Sequence, residues 1–206
     1  DAFPQYFRLL TAWLLDASGK VPIGDDHPLH DIRANPSGPS HPDVFVLCTS
    51  PQSATFAGMM GVGMVFAEFI ARTEAGPSVA AYRKAFEPSA FREAPWAGTA
   101  VVAYAAESAE QAWREDAPRR AGTVSMLSGQ RRRFADIAAA EDFLSEHERS
   151  PVRLDVERRT IAGDPATVRE TLAAKARDAA CDEVFVMATG PTLDRRIASL
   201  ELIAPD

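Results

Sequence analysis

Residues 43–53 read Asp43-Val44-Phe45-Val46-Leu47-Cys48-Thr49-Ser50-Pro51-Gln52-Ser53. Val44, Phe45, Val46 and Leu47 form a short, continuous apolar run, the pattern of a strand buried on both faces and not of one alternating between core and water. A helical pattern follows at once over 53–60, and Gly61-Val62-Gly63 stops it. A buried strand leading directly into a helix is the unit from which parallel sheets are built, because each parallel neighbour needs a crossover.

The same grammar extends outward. A second apolar run covers 64–67, followed by a helix over 78–86 that Pro88 halts. A third strand covers 100–104, and Ser108 opens a helix through 114 with Glu110 and Gln111 in its first turn. Asp164-Pro165 places an N-cap acid and an N1 proline in their preferred positions for a helix ending near 178. Residues 183–187 form a fourth strand and 193–203 the last helix. Before the first strand, Phe3, Phe7, Leu10 and Leu14 recur at helical spacing over 3–15, and the helix ends near Ser18-Gly19. The expectation is one α/β domain over 1–206. It carries two long loop or insertion segments: 20–42, rich in proline (Pro22, Pro28, Pro36, Pro39, Pro42), and 115–160, irregular apart from a helix over 137–147. Four such units make a small open sheet or half of an eight-unit barrel, since a complete barrel takes about 250 residues.

Bulk properties narrow the function classes. The 206 residues are 46% hydrophobic and 25% charged, enough apolar matter for a core. A net charge of −7 argues against nucleic acid, which needs clustered cations. The dense basic run Arg131-Arg132-Arg133, with Arg119 and Arg120 upstream, reads as a solvated helix end. The longest apolar stretch, 59–70, is too short to span a bilayer and is broken by Gly61, Gly63 and Glu68, so no membrane partner is expected. Cys48 and Cys181 sit in apolar runs as free thiols, which suits a reducing cytoplasm. His27, His30 and His41 match no zinc spacing, and no metal is expected. The chain opens at Asp1, without methionine, directly into a helical pattern, as a fragment or processed product does.

Taken in order, several segments resemble the bacterial luciferase-like flavin monooxygenases. They are 43–50 with Ser53-Ala54 and Gly61-Val62-Gly63; Phe86-Glu87-Pro88-Ser89; Ala105-Ala106-Glu107-Ser108-Ala109-Glu110; Gly163-Asp164-Pro165-Ala166-Thr167-Val168; 182–186; and Ser199-Leu200-Glu201-Leu202. The resemblance covers roughly 1–204 and implies a partial TIM (β/α)8 barrel, units five to eight, with the N-terminal half absent. It further implies FMN, reduced by a separate flavin reductase, with O2 as cosubstrate and a small organic molecule oxygenated. The family's catalytic residues belong to the missing half, so none is assigned here. Two other readings stay open: a non-catalytic flavin-binding or helper subunit of the same family, and a deazaflavin-dependent oxidoreductase. A half-barrel exposes sheet edges and an apolar interior, which implies a homo- or hetero-oligomer or a complementary half-barrel.

The candidate cofactor site is the turn after the first strand: Cys48, Thr49, Ser50, Gln52 and Ser53. Hydroxyls beside the free N–H groups of a helix N-terminus favour an anion. The same serines serve as helix caps, and residue types alone favour that reading. The resemblance reverses the preference and implies that the turn holds the FMN phosphate. Glu68 and Phe69, ending the second strand, are the candidate substrate pocket, with Glu68 a base, an orienting group or the partner of an arginine. Thr189 and Gly190 fall at the same rim by position.

Overall fold

The computed structural model describes residues 2–27 and 30–204; Asp1 and the loop residue Pro28 lie outside them. After helix α1 (Phe3–Ala17), the described residues up to 44, which include those of the proline-rich 20–42, form no helix or strand. Then come β1 (Phe45–Cys48), α2 (Pro51–Met59), β2 (Gly63–Ala67), the short α3 (Glu68–Ala71), α4 (Gly76–Ala85) and β3 (Ala97–Ala105). Helices α5 (Ala109–Glu115), α6 (Ala117–Leu127), α7 (Ile137–Glu146) and α8 (Pro151–Arg158) follow. The chain closes with β4 (Ile161–Gly163), α9 (Pro165–Ala179), β5 (Glu183–Ala188) and α10 (Leu193–Ile203).

Every strand pairing is parallel. β1 pairs with β2 and β2 with β3, while β5 runs along β3 from Gly98↔Glu183 to Ala103↔Ala188. Ala103 partners both Ile161 and Ala188, so β4 and β5 lie on opposite edges of β3. β4 therefore continues the track of β2 beyond Ala67. This is the α/β parallel sheet with flanking helices expected of a partial barrel. Buried Ser199 accepts from the Ala105 N–H at 2.8 Å, and Asp182 accepts from the Ala97 N–H at 2.8 Å. These two bonds pin α10 and the start of β5 to opposite ends of β3.

The helices cover one face of the sheet. Val46, Cys48, Met64, Phe66 and Ala97 pack into a core with Ala54, Ala57, Val79 and Tyr82 from α2 and α4. Burying a side chain such as Met64 or Phe66 contributes roughly 1.5–3 kcal/mol. The Tyr82 hydroxyl donates to the Val62 carbonyl at 2.9 Å and accepts from the Trp96 N–H at 3.0 Å, which satisfies the phenol inside this core. On the other face, Phe45 and Leu47 of β1 and Phe185 and Met187 of β5 stay open, Leu47 being 55% exposed. At the amino end of that face the Phe45, Trp96 and Phe185 rings stack edge-on at 5.0 and 6.1 Å over Gly63 and Gly98. A Cβ on Gly98 would lie 2.9 Å from the Phe185 ring, so the glycines make room for this aromatic layer.

Two segments differ from expectation. Residues 115–160 are not an irregular loop but mostly helix, with α6, α7 and α8 sharing their own core of Ala117, Ala121, Val124, Ala140, Phe143, Leu144 and Val156. These helices are short and bury small alanines, so their apolar periodicity is weak even though Pro118 and Pro151 mark their first turns. β4 went unread because three residues carry no period. Among the described residues, no helix is long and apolar enough to cross a membrane.

Gly61, which ends the turn after α2, has φ +60, and a Cβ there would collide with the Glu87 carbonyl oxygen and the Ser89 side chain. Left-handed strain and the clash add. Gly61→Ala is expected to lower stability by about 2–4 kcal/mol, read as a lower urea midpoint at unchanged m value.

Candidate functional site

Because the strands are parallel, all their carboxyl ends meet at one rim. Two cavities lie there, of about 870 and 630 Å3, sharing Arg119, Thr123, Met126 and Thr189 as walls. The larger is bounded by Met187 and Ala188 at the end of β5, by Thr189, Gly190 and Pro191 after it, by α6, and by residues 131–134. The smaller reaches from Glu68, Phe69 and Ile70 after β2 to Val101 and Val102 of β3 and Thr160 and Ile161 at the start of β4.

A buried ionic cluster holds α6 against this rim. Asp116, 2% exposed, takes two hydrogen bonds from Arg119 at 2.7 and 2.6 Å and one from the Thr189 hydroxyl at 3.1 Å. Arg119 also donates to the Thr160 hydroxyl at 3.0 Å, so one guanidinium joins α6, the lead into β4 and the end of β5. Arg120, 7% exposed, donates to Glu157 at 3.0 Å and to the Trp113 carbonyl at 2.6 Å, and stacks on the Trp113 ring at 4.6 Å. The basic run is therefore not uniformly a solvated helix end: Arg119 and Arg120 are structural, whereas Arg131, Arg132 and Arg133 are exposed. A second clamp joins Asp155 of α8 to Arg72 after α3, and the hydrogen bonds from Arg72, Arg159 and Arg158 hold the Asp155 carboxyl below its usual range.

The expected pocket residues Glu68 and Phe69 both line the smaller cavity. Glu68 accepts from the Thr99 hydroxyl at 3.2 Å and from Lys175 at 2.6 Å, so its partner is a lysine of α9 and not an arginine. Burial opposes charge on Lys175, but Glu68 and Glu74 outweigh it and hold the ammonium above its ordinary pKa. Glu68 is thus an occupied acceptor, while Phe69 presents an exposed ring to the cavity. Thr189 and Gly190 line the larger cavity, as their position implied.

The turn at 48–53 lines neither cavity. Ser50 caps α2 in a reciprocal box: its hydroxyl accepts from the Ser53 N–H at 3.3 Å, and the Ser53 hydroxyl accepts from the Ser50 and Thr49 N–H groups at 3.2 and 3.3 Å. The first turn of α2 has no acidic residue, Pro51 stands at its start, and Thr49 and Gln52 are exposed. Cys48 is fully buried on the helix-facing side, and burial pushes its thiol up to about 11, so only its backbone faces the rim. The thiols of Cys48 and Cys181 are free.

Sequence reading missed Asp116, Arg119, Thr123, Met126 and the second role of 131–134. The available signal was Asp116-Ala117-Pro118, an acid two residues before a proline, which marks the start of α6. Tyr104 was read only as a strand residue. It lies buried at the rim with its hydroxyl on Glu115, and burial, then Glu115, push that hydroxyl above its usual pKa. Among the described residues, no group of three or more His, Cys, Asp or Glu is placed to hold a metal.

Comparison with known proteins gives the family and supports the fold. The Luciferase-like monooxygenase family profile matches residues 3–183. The YwcH protein of Bacillus subtilis is 26% identical over 98% of this chain and 60% of its own length. The crystal structure of apo-MsnO8 superposes with a TM-score of 0.80 at 24% identity, over 98% of this chain and 59% of that one. The FMN complex of the oxygenating constituent of 3,6-diketocamphane monooxygenase from Pseudomonas putida superposes with a TM-score of 0.53 at 19% identity, over 89% and 53%. The chain spans about three fifths, or less, of the length of the curated relatives it matches.

Removing the charge of Asp116 would take the paired carboxylate from Arg119 and leave the buried Arg120 with Glu157 alone. Asp116→Asn is expected to cost about 3–5 kcal/mol of stability. Amide hydrogen exchange resolved by residue should show the loss concentrated in α6–α8. A uniform loss across the sheet would contradict this local role.

Proposed function

The chain belongs to the luciferase-like monooxygenase family, and from that premise we propose that it is the flavin-holding C-terminal part of an FMN-dependent monooxygenase. The remaining barrel half is contributed by further sequence or by a second chain. The carrying observation is the rim-side N-terminus of α2. There the Ser50 and Ser53 hydroxyls, the exposed Thr49 and Gln52, and an acid-free first turn converge at the carboxyl end of β1. That donor set fits a phosphomonoester: it is rich in N–H and O–H groups, holds no competing carboxylate, and lies at the positive end of a nine-residue helix.

In this reading Ser50, Ser53, Thr49 and Gln52 hold the FMN phosphate and Cys48 contributes backbone alone. Reduced FMN, delivered by a flavin reductase, supplies the oxygen chemistry when bound. The chain's own residues do the positioning. Phe69, Met126 and Val102 wall the cavity and exclude water from the reacting end of a small organic substrate. Glu68, held by Lys175 and Thr99, fixes the wall in place and leaves proton transfer to groups on the other half. The free thiols of Cys48 and Cys181 suit a reducing cytoplasm. The open apolar face bearing Leu47, Phe185 and Met187 supports a requirement for a complementary half or a second copy.

Two measurements test these points. Ser50→Asp keeps an N-cap side chain yet places a carboxylate where the phosphate would sit. In the flavin-competent assembly it should weaken FMN binding about tenfold or more while the melting temperature holds. Unchanged FMN titration would leave the turn a cap and nothing else. Parallel titration with a deazaflavin phosphate tells which cofactor class the turn prefers, and oxygenated product from reduced FMN and O2 separates an enzyme from a helper. In analytical ultracentrifugation at micromolar concentration, the isolated chain should sediment as a dimer or larger. A sharp monomer boundary would count against the unpartnered face.

A further inference from the structure

The larger rim cavity has an unbalanced charge. Arg131, Arg132, Arg133 and Arg196 line it, and none of them takes part in an ion pair among the described residues. The two acids in the same wall are already taken. Glu115 is bound by Tyr104, by Gln111 at 3.1 Å and by Arg195 at 3.3 Å, and Asp116 by Arg119, Arg120 and Thr189. Four arginines without an ion-pair partner among the described residues thus line one concavity in a chain whose net charge is −7.

Their placement is built. Gly129 at φ +80 and Arg131 at φ +55 turn the chain back over the β5 rim after α6 ends. The Ser125 hydroxyl accepts from the Arg132 N–H at 2.8 Å, and the Arg132 guanidinium lies 5.1 and 5.3 Å from the Phe134 and Phe143 ring centres. Arg196 is steadied by the Gly190 carbonyl at 3.3 Å. Between the arginines the wall is apolar: Met126, Phe134, Met187 and Pro191. Low-dielectric walls around like charges concentrate the field, and an anion that enters relieves their mutual repulsion. Guanidinium forks suit the oxygens of carboxylates, sulfonates and phosphates.

We infer that this cavity takes an amphipathic organic anion, its apolar body against Met126, Phe134 and Met187 and its acidic group among Arg131, Arg132, Arg133 and Arg196. The inference rests on the flavin reading only in making this anion the molecule that is oxygenated. A concave pocket of about 870 Å3 suits a small molecule and not a nucleic-acid backbone.

The probe is 2-naphthoate set against its neutral isostere 2-naphthamide, titrated calorimetrically into the flavin-competent assembly that contains this chain. The carboxylate is expected to bind about tenfold or more tightly than the amide. That preference should shrink toward unity in 0.5 M salt and in the Arg131→Gln/Arg133→Gln double variant, whose exposed positions leave the fold intact. Equal binding of acid and amide, no binding of either, or an undiminished preference in the double variant would overturn the inference. So would displacement of naphthoate by FMN, because the cavity would then be the phosphate site. Naphthoate selectivity combined with unchanged FMN binding by Ser50→Asp would keep the anion cavity and retire the turn, so the two failures are distinguishable.

Discussion

The parallel register of the sheet is the constraint on which everything else depends. With every strand pointing the same way, the turn after β1, Glu68 after β2, the end of β3 and Thr189 after β5 arrive at one rim, although they are far apart in sequence. Because β1, β2, β3 and β5 are added in one direction, right-handed crossovers between them bring the helices to the same face. The same geometry that gathers the site leaves Phe45, Leu47, Phe185 and Met187 on a face this chain does not cover. Site assembly and an unpartnered apolar surface are two consequences of one topology.

The α5–α8 segment turns a flat rim into a cavity. It leaves the sheet after β3 and returns at β4, so its position is set by few backbone bonds and must be fixed by side chains. Asp116 does this from inside, joining Arg119 to Thr189 on β5, while Arg72 and Asp155 do it from the side of β2. Buried ion pairs contribute little net stability against apolar replacements, but they specify geometry strongly because a misplaced charge is costly. Such a cluster suits a place where helix orientation decides the shape of a ligand pocket.

Much of this was legible in the sequence, for physical reasons that also explain the gaps. Continuous apolar runs such as 44–47 and 183–187, and caps such as Asp164-Pro165, are local signals, and the elements they mark form close to the expected bounds. Glu68, Phe69, Thr189 and Gly190 reach the rim because unit counting in a parallel sheet locates strand ends. Asp116 and Arg119 were not legible. Their role depends on Thr189 and Thr160, which lie 73 and 41 residues away, and no periodicity encodes that pairing. For the same reason Lys175, 107 residues from Glu68, was invisible as its partner.

The serine turn shows where residue type and geometry give different amounts of information. Ser50 and Ser53 form a complete capping box, which accounts for both residues without any ligand. The Ser53 hydroxyl already donates to the Ser50 carbonyl at 3.0 Å, but capping and anion binding do not exclude one another, since the Ser50 hydroxyl carries its own proton and a phosphate approaches along the helix axis beyond the cap. The arginine-lined cavity stands differently, because among the described residues no carboxylate pairs with Arg131, Arg132, Arg133 or Arg196. A cap is satisfied internally, whereas exposed arginines without a carboxylate partner, set against methionine and phenylalanine, keep their charge for solvent or for an arriving anion. Charge that the fold leaves unanswered is therefore the stronger pointer to a ligand, and here it lies beside β5, across the rim from the turn that the resemblance favours.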